Sequence, residues 1–211
     1  MSDAPPVRTA RPAGAGTPST DALYASPPPW DTGRPRSALL GLAERGVLHG
    51  RVLDAGCGTG EHTLTAAEPG LEATGADLAT TALAVARRKA RERGLAGRFL
   101  RHDVLDLPVP GQSFDTVLDS LVFHGFHTRD RSRYVLGLGA VTVPGGRCFL
   151  PSFRDEPPGP SGRVHRVSPE EIRAAFADGW AVNAIDPVAV DSSLPAPADR
   201  IRCRRTSLTR L

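Results

Sequence analysis

The residues of this chain best placed to do chemistry are a run of glycines and four carboxylates. The run Val52-Leu-Asp-Ala-Gly-Cys-Gly-Thr-Gly60 starts apolar and ends in alternating glycines. Glycines let a backbone turn tightly and approach a ligand closely. A helix opening near Glu61 or His62 aims its unpaired N–H groups and positive end at that ligand. A dinucleotide site prefers a third glycine where this chain has Glu61. Asp54 lies two residues before the first glycine. There it would repel a pyrophosphate and suit a cationic amino-acid ligand. Both features disfavour a nicotinamide dinucleotide. Further on, Asp77 can accept both hydroxyls of a ribose through charge-assisted bonds. Asp103 can reach an adenine amino group, with Val104 against the ring. Asp119 and Ser120 stand nearest the reacting centre. Any one of these aspartates is equally a cap or turn residue; four of them in order point to a site.

Strand ends must carry these groups for them to converge. Residues 51–54, 71–77, 98–102 and 114–119 read as strands, and Asp54, Asp77, Asp103 and Asp119 each stand at the close of one. Helices are expected over 36–45, from 61 or 62, from a cap at Thr80 or Thr81 to Arg93, and over 129–141. Pro144-Gly-Gly146 is read as a turn into a strand over 147–152. Ser168-Pro-Glu-Glu171 has the Ser, Pro and Glu pattern of a helix start. Strands over 180–185 and 201–208 complete the chain. Strands alternating with helices predict a mostly parallel sheet covered on both faces, which binds ligands at the carboxyl ends of its strands.

The 211 residues suffice for one such domain. Residues 1–20 are rich in Pro, Ala, Gly, Ser and Thr and are expected to be a disordered tail, leaving 21–211 as the domain. A net charge of +3 is too small to imply nucleic acid. The basic residues ending the helix before Gly94 suit its dipole. The alternating arginines 200, 202, 204 and 205 are read as a solvated strand face. Cys57, Cys148 and Cys203 have no zinc or redox spacing and read as buried free thiols. No apolar stretch suggests a signal or a membrane span, so the cytoplasm is the expected location.

Taken together, these residues resemble the class I S-adenosylmethionine-dependent methyltransferases. The resemblance rests on Asp54, Gly56, Gly58 and Gly60, on Asp77 and Asp103, and on the Pro-Gly-Gly turn, and it covers about residues 30–211. It implies an α/β fold, a Rossmann-like three-layer sandwich. Its sheet would have seven strands, mostly parallel, with an antiparallel last strand beside the fifth. It also implies S-adenosylmethionine as cofactor and S-adenosylhomocysteine as product. The segment Pro27-Pro-Pro-Trp-Asp-Thr-Gly-Arg-Pro35 is similar to one in thiopurine, thiol and halide methyltransferases. It is closer to one in bacterial heterocyclic-toxin methyltransferases, which also share Asp119-Ser-Leu-Val-Phe-His124. That analogy implies that the segment closes the site, with Trp30 against the cofactor. An aromatic face suits a sulfonium, and Arg34 can pair with the cofactor carboxylate. Cys57, His62 and Leu78 join the expected cofactor contacts.

The acceptor is expected after the fourth strand. There His124 can orient a polar group or take its proton, alongside Asp119. Phe123 and Phe126 can stack on a flat molecule, with Tyr24, Trp30 and His127 around it. His124 and His127 without a third ligand do not make a metal site. The absence of an N/D-P-P-aromatic motif at Asp119-Ser-Leu-Val disfavours nucleic-acid amines. The expected acceptor is therefore a small heteroaromatic, thiol or phenol, methylated on N, S or O in detoxification or secondary metabolism by a monomer or homodimer. A non-catalytic S-adenosylmethionine-binding module with a blocked acceptor pocket is the alternative.

Overall fold

A computed structural model describes residues 20–107, 112–154, 165–193 and 200–211. The chain alternates β1 (Arg51–Ala55), β2 (Glu72–Asp77), β3 (Arg98–Arg101), β4 (Phe114–Asp119), β5 (Thr142–Phe153), β6 (Trp180–Asp191) and β7 (Arg200–Arg210) with helices. The helices are α1 (Ser37–Glu44), α2 (Glu61–Ala67), α3 (Thr80–Arg93), α4 (Thr128–Val141) and α5 (Pro169–Ala175). The sheet order is β3-β2-β1-β4-β5-β7-β6. β1 to β5 pair in parallel, and β7 lies antiparallel between β5 and β6. This is the Rossmann-like sandwich with the last strand inverted beside the fifth.

Two-residue periodicity in the buried strands separates two apolar layers. Val52, Leu118 and Phe149 face Leu39 and Leu42 of α1 and Ala66 of α2. Their neighbours Leu53, Val117 and Leu150 join Tyr134 and Leu138 of α4 and Ile172 of α5 on the other side. The strand order reverses between β1 and β4, so the chain leaves these neighbours toward opposite faces. That reversal opens a crevice at their carboxyl ends. Register brings the acids there: Ala55 pairs with both Ala76 and Asp119, and Asp77 with Arg101.

Three local expectations change. Neither Thr80 nor Thr81 caps α3. The Thr81 N–H donates instead to Asp21 Oδ1 at 2.8 Å, a cap delivered from a 3-10 turn over Thr20–Tyr24. Pro144-Gly-Gly146 does not precede β5 but interrupts its pairing. Phe114 pairs with Thr142 and Thr116 with Arg147, the extra residues looping out where Gly145 takes φ +78°. The arginines of β7 are only partly solvated: Arg200 and Arg202 are exposed, but Arg205 donates to the Ala38 carbonyl at 3.2 Å and reaches Asp186 at 3.3 Å. Ser168 and Glu171 form the expected capping box. Of the expected tail only Thr20 lies among the described residues, and the Pro- and Gly-rich stretch 155–162, which reads as a loop, lies outside them.

Candidate active site

Asp54 is fully buried and anchors the crevice from below. Thr63 donates to its Oδ2 from both N (3.0 Å) and Oγ1 (2.7 Å), and Ser120 Oγ donates a short bond to Oδ1. Burial raises its pKa to about 6 against these bonds, which favour the carboxylate. The chain continues through His62. The Arg36 N–H donates to His62 Nε2 at 3.1 Å, so the ring proton sits on Nδ1 and points at Ser120 Oγ, 2.9 Å away. Burial and the Arg36 charge lower the His62 pKa to about 3, which keeps it neutral. Asp54 and His62 thus lock β1, α2, the end of β4 and the start of α1 into one unit. Asp54 does not line the cavity itself; His62 and Ser120 do.

Gly56 turns the chain out of β1 with φ +70°, and a β-carbon there would collide with Val122 Cγ2. Gly60, expected to touch a ligand, is instead a packing glycine whose α-carbon faces Ala86 and Phe99. Glu61 has an unforeseen role. It is buried and bound by Lys89 Nζ at 2.7 Å and by Arg93 at 3.0 Å. Lys89, the one lysine of the sequence, also donates to Thr59 Oγ1, which donates to Asp31 Oδ1. The Trp30–Asp31 segment is thereby tied to the glycine turn.

The cavity above the strand ends has a volume of about 810 Å³. One end is acidic. Asp77 accepts from Gly58 N (2.9 Å) and Ala79 N (2.8 Å), with burial raising its pKa. Asp103 accepts from Leu105 N at 3.0 Å. Each keeps lone pairs for a ligand, so cap and binding group are the same residue. Leu78, Val104 and Cys57 line this end. Tyr24, expected near the acceptor, belongs here: its hydroxyl overhangs Gly58, and burial and the Asp77 charge raise its pKa.

The other end follows β4. Asp119 is fully buried and absent from the lining, which corrects its expected catalytic contact. Its carboxylate accepts from Val122 N (2.9 Å), Phe123 N (3.0 Å) and Tyr134 OH (2.9 Å), building the 3-10 turn Phe123–Gly125. Phe123 is the second correction: its ring is fully buried in the core, against Phe176 and under the Arg131 guanidinium. His124 lines the cavity, its ring 4.4 Å from that of Phe153. Its Nδ1 is buried without a partner, and burial lowers its pKa to about 3. Such an imidazole is uncharged at neutral pH and is a weak base. Phe126 and His127 also line this end, His127 exposed and 5.1 Å from His165.

Trp30 lines the mouth with 43% of its surface exposed. Arg34 is exposed. The half-buried cation is Arg36, whose guanidinium donates to the Trp30 carbonyl at 3.1 Å and lines the cavity. Sequence spacing does not separate Arg34 from Arg36; only the start of α1 does. Leu121, also in the lining, has φ +65°, a left-handed conformation costly to a branched residue.

Residues 52–146 match the family described as a methyltransferase domain. Over 166 residues the chain is 36% identical to the 2-heptyl-1-hydroxyquinolin-4(1H)-one methyltransferase of Mycobacteroides abscessus, covering 77% of this chain and 73% of that protein. It is 44% identical over 119 residues to the demethylmenaquinone methyltransferase of Thermus thermophilus, 56% of this chain and about half (53%) of that relative. A solved structure described as "Conversion of a Disulfide Bond into a Thioacetal Group during Echinomycin Biosynthesis" superimposes with a TM-score of 0.81 at 34% identity, covering 90% of each chain. Fold and matches together define an α/β methyltransferase. The chain belongs to the S-adenosylmethionine-dependent methyltransferases, in a group whose relatives modify small molecules. Its cofactor is S-adenosylmethionine. Among the described residues no cluster of three metal-binding side chains occurs, and no helix is long and apolar enough to cross a membrane. All three cysteines are buried, Cys57 and Cys148 as free thiols.

Proposed function

We propose that the chain transfers a methyl group to N, S or O of a small heteroaromatic, thiol or phenolic acceptor in the cytoplasm, with residues 21–211 as its methyltransferase domain. The observation that carries this reading is the polarity of the cavity. Asp77 and Asp103 stand at one end, and His124, Phe126 and Phe153 at the other. The acidic end suits a ribose and an adenine amino group; the aromatic end suits a flat acceptor.

In this reading Asp77 takes the ribose hydroxyls and Asp103 the adenine, with Leu78 and Val104 on the ring. Cys57 and Gly58 line the path of the methionine moiety, and Trp30 covers the sulfonium. The bound cofactor supplies an activated methyl group. The protein's own task is alignment, which is worth on the order of 7–11 kcal/mol at best. His124 orients the acceptor, because it is too weak a base to remove a proton. Asp119 acts through it, as a positioning residue. The relative acting on a hydroxyquinolone supports a heteroaromatic acceptor. A non-catalytic module would need a blocked acceptor end, and here the cavity continues to Phe153.

Calorimetry with S-adenosylhomocysteine, followed by methyl transfer to panels of thiols, phenols and heterocycles, tests this reading. Micromolar binding with transfer to any panel member is expected. Asp77→Ala is expected to weaken binding by about 10- to 100-fold, the loss of charge-assisted bonds. Binding with no transfer to any of the three classes would refute the acceptor assignment. A variant lacking residues 1–20 that cannot bind would refute the domain assignment.

A further inference from the structure

We infer that the acceptor binds as an anion, an ionised heteroaryl hydroxyl or thiol, with the Arg36 guanidinium as its counter-charge and the His124 ring beside it. The inference rests on the proposed acceptor end and names the charge state of what fills it.

Arg36 is the half-buried cation of the cavity lining, close enough to His124 to act on its charge, and no anion matches it. Arg36 is held in place by the Trp30 carbonyl, yet among the described residues no carboxylate comes within ion-pair distance of it. The groups that face it come from every element around it. They are Tyr24 of the N-terminal turn, Asp31 of the following segment, Asp54 of β1, His62 of α2, His124 after β4 and Cys203 of β7. Both acids are engaged elsewhere, Asp31 by Thr59 and Gly33, and Asp54 by Thr63 and Ser120. Tyr24, its pKa raised by burial, offers no charge at neutral pH, and Cys203 is buried. Both histidines are neutral, their affinity for protons further reduced by the guanidinium itself. A desolvated cation without a partner is costly, and an anionic ligand relieves that cost.

The chemistry agrees. Neither Asp119, which is sealed below, nor His124, which is a weak base, takes a proton from the acceptor. A proton lost to solvent before binding removes the need for one. The acceptor's lone pair then forms the bond to the methyl carbon. The sulfur–carbon bond breaks with its electrons left on sulfur, and anion and sulfonium become two neutral groups.

Titration of 4-nitrophenol into the complex with S-adenosylhomocysteine tests this, because its absorbance reports ionisation directly. The bound dye is expected to ionise with a constant raised at least about tenfold over the free dye, as for an acid beside a guanidinium. Arg36→Gln is expected to abolish the shift, and Arg36→Lys to keep most of it even if packing suffers. The affinities of Arg36→Gln for S-adenosylhomocysteine and for 5′-methylthioadenosine, which lacks the amino-acid group, should keep their wild-type ratio. Binding of the neutral phenol, or no binding at millimolar dye, overturns the inference. So does a selective loss of S-adenosylhomocysteine affinity in Arg36→Gln, which would assign the guanidinium to the cofactor carboxylate and leave the methyltransferase reading intact. Failure of the wild type to bind S-adenosylhomocysteine would overturn both together.

Discussion

Gly56 and Leu121 show how tightly single residues are set around the cavity. A β-carbon at Gly56 would strike Val122 and demand φ +70° of an alanine. Gly56→Ala should therefore cost about 2–4 kcal/mol in urea denaturation and abolish S-adenosylhomocysteine binding. Leu121 is the converse. Leu121→Gly should gain about 1 kcal/mol of stability by releasing a left-handed branched residue, while turnover falls as the cavity wall is lost. The four aspartates were legible because strand-end acids serve two purposes, bonding their own turns and facing a ligand. Their division of labour was not. Asp54 and Asp119 are fully buried braces, whereas Asp77 and Asp103 reach the cavity. Phe123 was misplaced for a related reason: the 3-10 turn after Asp119 carries its ring into the core, and no linear pattern reveals that.

At the scale of elements, the sequence betrays what depends on near neighbours. The capping box of α5 and the stop of α3 at Gly94 are local signals. The cap of α3 by Asp21 spans 60 residues of sequence and leaves no local trace. Asp21→Ala should loosen the N-terminal turn, lower the melting temperature and weaken S-adenosylhomocysteine binding several-fold. A calorimetric titration showing unchanged affinity would separate that turn from the site. The histidine-bearing elements also set a pH response. His62 and His124 titrate at about 3 in the folded chain against an ordinary value of 6.5. Their contribution to stability is thus full above pH 6.5 and lost as pH falls through about 3. Asp54 and Asp119, raised from 3.8 to about 6, act oppositely: their contribution is present below 3.8 and lost as pH rises through about 6. The double variant His62→Gln, His124→Gln should differ from the wild type in the pH dependence of its melting temperature mainly between pH 6.5 and 3.

Across the whole molecule, the strand reversal between β1 and β4 opens one cavity with an acidic and an aromatic end. S-adenosylhomocysteine at 100 times its dissociation constant should add about 2.7 kcal/mol of stability and raise the melting temperature by about 5–10 °C. The tie that runs from Asp31 through Thr59 to Lys89 and Glu61 has a consequence for how the chain is cut. With one lysine in 211 residues, a lysine-specific protease has a single target bond, that between Lys89 and Ala90. It lies inside α3, beside the buried Ala90 and an ion pair of 2.7 Å. The intact fold withholds that bond, so each cleavage event counts one opening of the helix beneath the glycine turn.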